Sequence, residues 1–143
     1  MPLKPSKYIW HNGKLVPWEE ATVHVLTHAL HYGSSVFEGV RVYKGPDGPV
    51  GLRLGDHVSR MFDSAKIYYL TIPYSVEELV SACKDVVLHN ELLGGAYIRP
   101  VAYRGYGEMG VAGDPEAPAE SVSYTHLRAH ETEADLVCRL LLE

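Results

Sequence analysis

The chain has 143 residues, 46% of them apolar and 22% charged, with a formal net charge of −5. That length makes one domain with a single modest core, and the mild acidity argues against nucleic acid, whose phosphate backbone wants a basic face. The two cysteines, Cys83 and Cys138, give no disulfide framework; with no long apolar run and no signal-like N-terminus, the chain reads as cytoplasmic with no membrane partner.

Residues 8–11 and 14–16 flank Asn12-Gly13, a pair that tolerates positive φ, and predict an opening β-hairpin. Residues 21–25 alternate and carry β-branched side chains, which predicts a further strand. Gly33 and Gly39 bracket what reads as a short apolar turn of helix. Residues 40–43 read as a strand closed by the Gly-Pro-Asp-Gly-Pro turn at 45–49, with 50–54 as its return. A helix is expected over 56–68 with Asp56 as its N-cap. Pro73 separates it from a second helix, opened by the capping-box form of Ser75 and Glu78, with Val76, Leu79, Val80, Cys83, Val86 and Val87 on one face. Residues 96–103 have the aromatic and β-branched content of a strand. Strands followed by segregated helices imply an α+β domain, a mostly antiparallel sheet with two main helices.

Three clusters carry more chemistry than a core requires. The stretch from His28 through His31, Tyr32, Gly33, Phe37, Glu38 and Gly39 to Arg41 mixes aromatics, glycines and charge; Asp56-His57-Val-Ser-Arg60 opens a helix; Tyr97-Ile-Arg99-Pro100 lies on a strand. Arg60 stands about one turn into its helix, where a guanidinium forks onto a phosphate and nearby amides add positive potential. The alternative is a solvated arginine paired with Asp56 or Asp63. Arg99, between Ile98 and Val101, is expected to be buried and so to need an anion; the structural alternative is an ion pair with Glu38 or another carboxylate. Phe37 and Tyr32 fit either a pocket for an aliphatic side chain or plain core. His28 and His31 lack a cysteine or carboxylate set to complete a metal sphere and read as hydrogen-bonded histidines, so no metal site is expected. The run from Gly105 to Gly110 has G-x-G-x-x-G form, yet the glycine- and proline-rich sequence after it cannot start the required helix, and it reads as a loop.

Together, and in this order from about Tyr8 to about Val111, the clusters resemble the small N-terminal domain of the branched-chain amino acid aminotransferases, in the fold-type IV group of pyridoxal-phosphate enzymes. The resemblance implies pyridoxal 5′-phosphate as cofactor and a parent enzyme, a homodimer or higher homo-oligomer. That enzyme exchanges an amino group between leucine, isoleucine or valine and 2-oxoglutarate, in branched-chain amino acid biosynthesis. It implies that Arg60 binds the cofactor phosphate and that Tyr97 and Arg99 line the substrate pocket, the arginine helping to receive the second carboxylate of glutamate. Phe37 would wall the side-chain pocket, while Tyr32 and Val111 would reach the active site of a partner subunit. In such enzymes the Schiff-base lysine lies in a second, larger domain, and none of Lys4, Lys7, Lys14, Lys44, Lys66 and Lys84 matches it. No catalytic residue is therefore expected in this chain, and no activity from it alone. The other readings are a different fold-type IV enzyme, either a D-amino acid aminotransferase or an aminodeoxychorismate lyase, and a non-catalytic module of the same fold.

Residues 122–143, VSYTHLRAHETEADLVCRLLLE, resemble a translated sequencing adapter. Residues 122–131 and 136–142 match two constant adapter arms in one reading frame, separated by an index-sized gap. The expectation is a domain over 1–121 and a non-native tail over 122–143. On this reading the His126 and His130 spacing and the helix-like pattern near 129–142 are accidents of translation. A sheet edge is then expected to stay open where Val122 replaces the family's next strand.

Overall fold

The computed structural model describes residues 5–107, 110 and 119–126, the last four of these through the backbone alone. Along the chain run β1 (Tyr8–His11), β2 (Lys14–Pro17), a 3-10 turn (Trp18–Glu20), α1 (His28–Tyr32), β3 (Ser35–Phe37), β4 (Val40–Gly45), β5 (Gly48–Gly51), α2 (Leu54–Ile67), α3 (Val76–His89), β6 (Gly95–Arg104) and β7 (Ala119–His126). The strands form one antiparallel sheet in the order β2-β1-β7-β6-β4-β5, with β3 also paired to β6.

The core lies between this sheet and the two long helices. Leu54, Val58, Met61 and Ala65 of α2 and Leu79, Ala82, Cys83, Val86 and Val87 of α3 recur at helical spacing and are buried. They meet Trp10, Val36, Val40, Val42, Ala96, Ile98 and Ala102 of the strands. The capping box of α3 is formed on both sides. The Glu78 amide donates to Ser75 Oγ at 3.1 Å and the Ser75 amide donates to Glu78 Oε2 at 2.6 Å. At the first hairpin Asn12 and Gly13 take φ of 47° and 91°, as a tight two-residue turn demands.

Four local expectations fail, each for a physical reason. Residues 21–25 form no strand: the 3-10 turn is followed by further turns, and Val23 and Val25 stay exposed, so their alternation has no face to bury. The segment between Gly33 and Gly39 is not helical. Gly33 instead ends α1 in the left-handed conformation (φ 66°), donating to Ala29 O at 3.0 Å, and the chain re-emerges as β3. Asp56 does not cap α2. The helix starts at Leu54 after Arg53 in the left-handed region, and Asp56 sits in the first turn, where its Oδ2 accepts from Arg53 Nε at 2.6 Å. The hairpin after β4 turns within Gly45–Gly48, and β5 stops at Gly51.

No edge opens at Val122. β7 runs unbroken from Ala119 to His126, pairing Val122 with Val101 of β6 and with His11 of β1. Main-chain hydrogen bonds do not depend on side-chain identity, and Val, Tyr and Thr among residues 122–126 are β-formers. The helix-like pattern near 129–142 and the His130 half of the histidine pair lie outside the described residues.

Candidate active site

β6 organises the site. β3 pairs with its residues 101–103 and β4 with its residues 95–98, so the two short strands hand over at Glu38-Gly39, opposite Arg99-Pro100. Pro100 has no amide to give, and the handover is where none is needed from it. Its carbonyl accepts the Glu38 amide at 3.0 Å, fixing Glu38 at the junction.

Glu38 points to the α2 side and is 7% exposed. Arg60 clasps it with two donors, Nε to Oε1 at 2.5 Å and Nη2 to Oε2 at 2.6 Å, and His57 Nδ1 lies 2.9 Å from Oε2. The Arg60 hydrogen bond holds the Glu38 carboxyl below its ordinary range against the opposing pull of burial, with His57 adding to the effect. The same bond raises the Arg60 pKa. The Arg60 side chain nevertheless stays 65% exposed. It lines an open cleft with Arg53, Asp56 and His57. A guanidinium fixed by one carboxylate and presented to solvent on its other edge is prepared to receive a second, external anion.

Burial alternates along β6, with Ala96 and Ile98 turned into the core while Tyr97, Arg99 and Val101 are half-buried. Arg99 stacks its guanidinium over the Phe37 ring at 4.7 Å from the centroid and lies 5.5 Å from that of Tyr97, and its Nη2 is 3.4 Å from Tyr97 Oη. Phe37 is exposed, and Arg41 sits opposite Tyr97 in the β4–β6 register. A methyl group at Gly39 would collide with the Tyr97 hydroxyl, so only glycine leaves that ring its place. Three consecutive residues thus serve two clusters: Phe37 under Arg99, Glu38 on Arg60, and Gly39 against Tyr97.

Phe37, Tyr97 and Arg99 come together on β3 and β6, whereas Arg60 lines a cleft with Arg53, Asp56 and His57 and is joined to them through the chain at Glu38. The ion pair of Arg60 differs from the alternative drawn from sequence. Arg60 pairs with Glu38, while Asp56 takes Arg53 and Asp63 takes Lys66 at 2.8 Å. Glu38 is thereby committed to Arg60 and does not serve Arg99. Tyr32 is exposed at the end of α1, packed at 4.4 Å against the His28 ring, and Val111 lies outside the described residues. His28 and His31 are both hydrogen-bonded, His31 Nε2 at 2.8 Å from Val25 O, and no cluster able to hold a metal occurs among the described residues. Sequence reasoning gave no role to His57 or to Glu38 as the partner of Arg60. The available signal was His57 three residues before Arg60, one helical turn away on the same face.

The amino-transferase class IV family profile matches residues 35–140. The branched-chain-amino-acid aminotransferase of Salmonella typhimurium is 50% identical over 115 residues, which cover 80% of this chain and 37% of the relative. The crystal structure of the Escherichia coli branched-chain amino acid aminotransferase superposes with a TM-score of 0.80 at 46% identity, over 84% of this chain and 39% of that one. A second branched-chain amino acid aminotransferase structure, complexed with N-(5′-phosphopyridoxyl)-L-glutamate, gives 0.82 at 46% identity, over 87% and 42%. The chain belongs to the class IV aminotransferases, with the fold of the fold-type IV enzymes. It resembles the branched-chain enzymes in particular and spans less than half the length of these relatives.

Proposed function

We propose that this chain is the N-terminal small domain of a longer branched-chain amino acid aminotransferase, which moves the amino group between leucine, isoleucine or valine and 2-oxoglutarate. The observation that carries the reading is the Phe37-Glu38-Gly39 junction, whose consecutive residues hold Arg60 through Glu38 and meet Arg99 and Tyr97 through Phe37 and Gly39. Pyridoxal 5′-phosphate, when bound, supplies the electron sink for the reaction. The residues present fit its phosphate: Arg60 is pre-oriented by Glu38, and its exposed edge has donors to give.

Arg60 holds the phosphate in this reading. Phe37 and Tyr97 exclude water from the aliphatic side chain of the substrate, and Arg99, stacked between them, receives the second carboxylate when the donor is glutamate. Among the relatives' structures, one is complexed with a phosphopyridoxyl-glutamate adduct and another with 4-methylvaleric acid, a branched aliphatic acid. Tyr32 and Val111 are assigned to the pocket of a partner subunit in a cytoplasmic homo-oligomer. The proton-transferring lysine is assigned to a second domain. Residues 1–121 are assigned to the enzyme and 122–143 to an adapter-derived tail.

The test is cofactor retention by Arg60→Ala in the longer protein. Loss of one charge-assisted hydrogen bond predicts roughly tenfold weaker binding or more. Retention equal to the parent would refute the phosphate assignment.

A further inference from the structure

His28 belongs to neither cluster, yet it is 3% exposed and every polar atom of its ring is engaged. Its Nε2 lies 2.8 Å from Gly110 O. A carbonyl oxygen only accepts, so Nε2 carries a proton. Its Nδ1 lies 2.7 Å from Ser34 Oγ, a hydroxyl able to donate to a ring nitrogen. Ser34 is itself fixed, because its carbonyl accepts the Arg104 amide at 3.0 Å from the end of β6. The His28 main chain adds a third bond, its amide donating to Gly105 O at 3.2 Å. One residue on α1 thus grips both Gly105, directly after β6, and Gly110. The ring also supports Tyr32, with centroids 4.4 Å apart.

We propose that His28, its Nε2–H aimed at Gly110 O and its Nδ1 against Ser34 Oγ, is a positioning residue that ties Gly105 and Gly110 to α1 beside Tyr32 and so sets one edge of the substrate pocket. The inference rests on the pocket assignment of Tyr32 made above. Its structural half stands on hydrogen bonds alone, and the two are separately measurable. Mere packing would tolerate any side chain of similar bulk. The donor at the Nε2 position would not be replaceable by one at the Nδ1 position.

The chain's own histidine resonances test the structural half. At pH 8, nitrogen-15 NMR is expected to show His28 as the Nε2–H tautomer with a slowly exchanging ring proton. Glutamine places an amide nitrogen near Nε2, whereas asparagine places its polar atoms near Nδ1. H28Q should therefore leave the carbon-13 shift of the Gly110 carbonyl, the acceptor of the Nε2 bond, near the parent value, while H28N moves it toward that of an unbonded carbonyl. An Nδ1–H ring, or equal Gly110 carbonyl shifts in the two variants, would overturn the proposal. In the longer protein H28N should raise the leucine KM more than it lowers kcat, with cofactor retention unchanged. An unchanged KM alongside a shifted Gly110 carbonyl would remove the pocket-edge role and leave the Arg60 assignment to stand or fall by its own test.

Discussion

Arg60 and Glu38 form a two-pronged ion pair between α2 and the β3–β4 junction, with Nε–Oε1 and Nη2–Oε2 separations of 2.5 and 2.6 Å. Its members differ in exposure, 65% for the arginine side chain and 7% for the glutamate. The carboxylate is therefore the structural member, and the guanidinium is the one left available to a ligand. Removing the carboxylate leaves a cation without its guide; removing the cation leaves a buried carboxylate with His57.

Glu38→Gln in the longer protein is predicted to weaken cofactor retention less than Arg60→Ala does, because the arginine survives but loses its orientation. Equilibrium dialysis of the two variants checks the order. A glutamine variant worse than the alanine one would show that Glu38 touches the ligand itself.

The same pair predicts an acid-labile term in the stability of the chain. Glu38 has its folded pKa held below the ordinary 4.5, so its contribution is fully present above pH 4.5 and is lost as the pH falls from there through the folded value. Glu120 follows the same sense: burial raises its pKa, but hydrogen bonds from Tyr103, Asn12 and His11 lower it further, leaving it depressed. Denaturant titrations of the parent and of Glu38→Gln should converge as the pH drops below 4.5. Because Arg60 is exposed, the gap between them at neutral pH is expected to be modest.

Arg99→Ala is predicted to slow the glutamate and 2-oxoglutarate half-reaction of the longer protein more than the leucine half-reaction. Single-turnover measurements of the two halves decide it, and equal losses would contradict the carboxylate role. Gly39→Ala should displace the Tyr97 ring and, because what must move is the free end of a half-buried side chain, lower the melting temperature only modestly.

The pairing of β7 sharpens the boundary near Ser121. A chain ending after Ser121 is predicted to be less stable than one ending after His126 and to self-associate, since β1 and β6 would then lose their pairing with residues 122–126. Replacing residues 122–126 by another alternating β-former sequence should restore the melt, as expected if the main chain, not the tail's own side chains, supplies that pairing. Failure of every such replacement would show that the tail's side chains are specifically required. Sequencing the gene of the source organism past Ser121 tests the adapter assignment directly.

The parts legible in the sequence are those whose physics is local. The Asn12-Gly13 turn, the Ser75 and Glu78 capping box and the apolar face of α3 each announce themselves within a few residues. β3 does not: three residues between glycines carry no period, and their strand form comes from pairing with β6, more than sixty residues later in the chain. The partner of Arg60 was hidden for the same reason. Asp56 and Asp63 are its neighbours on the helix, but Glu38, 22 residues away in sequence, arrives through the fold. Asp56 looked like a cap because it precedes the apolar pattern; Arg53 in a left-handed conformation starts the helix two residues earlier. The grouping of Phe37, Tyr97 and Arg99 was legible only through resemblance, since no local pattern joins a three-residue strand to the middle of a ten-residue one.

The most direct test of the account is a transamination assay on the longer protein loaded with pyridoxal 5′-phosphate, comparing leucine with D-alanine as amino donor and 2-oxoglutarate as acceptor. Leucine-dependent formation of glutamate, abolished or strongly reduced in Arg60→Ala and restored toward the parent at high cofactor concentration, is the predicted result. Turnover of D-alanine without turnover of leucine, or leucine turnover indifferent to Arg60, would contradict it.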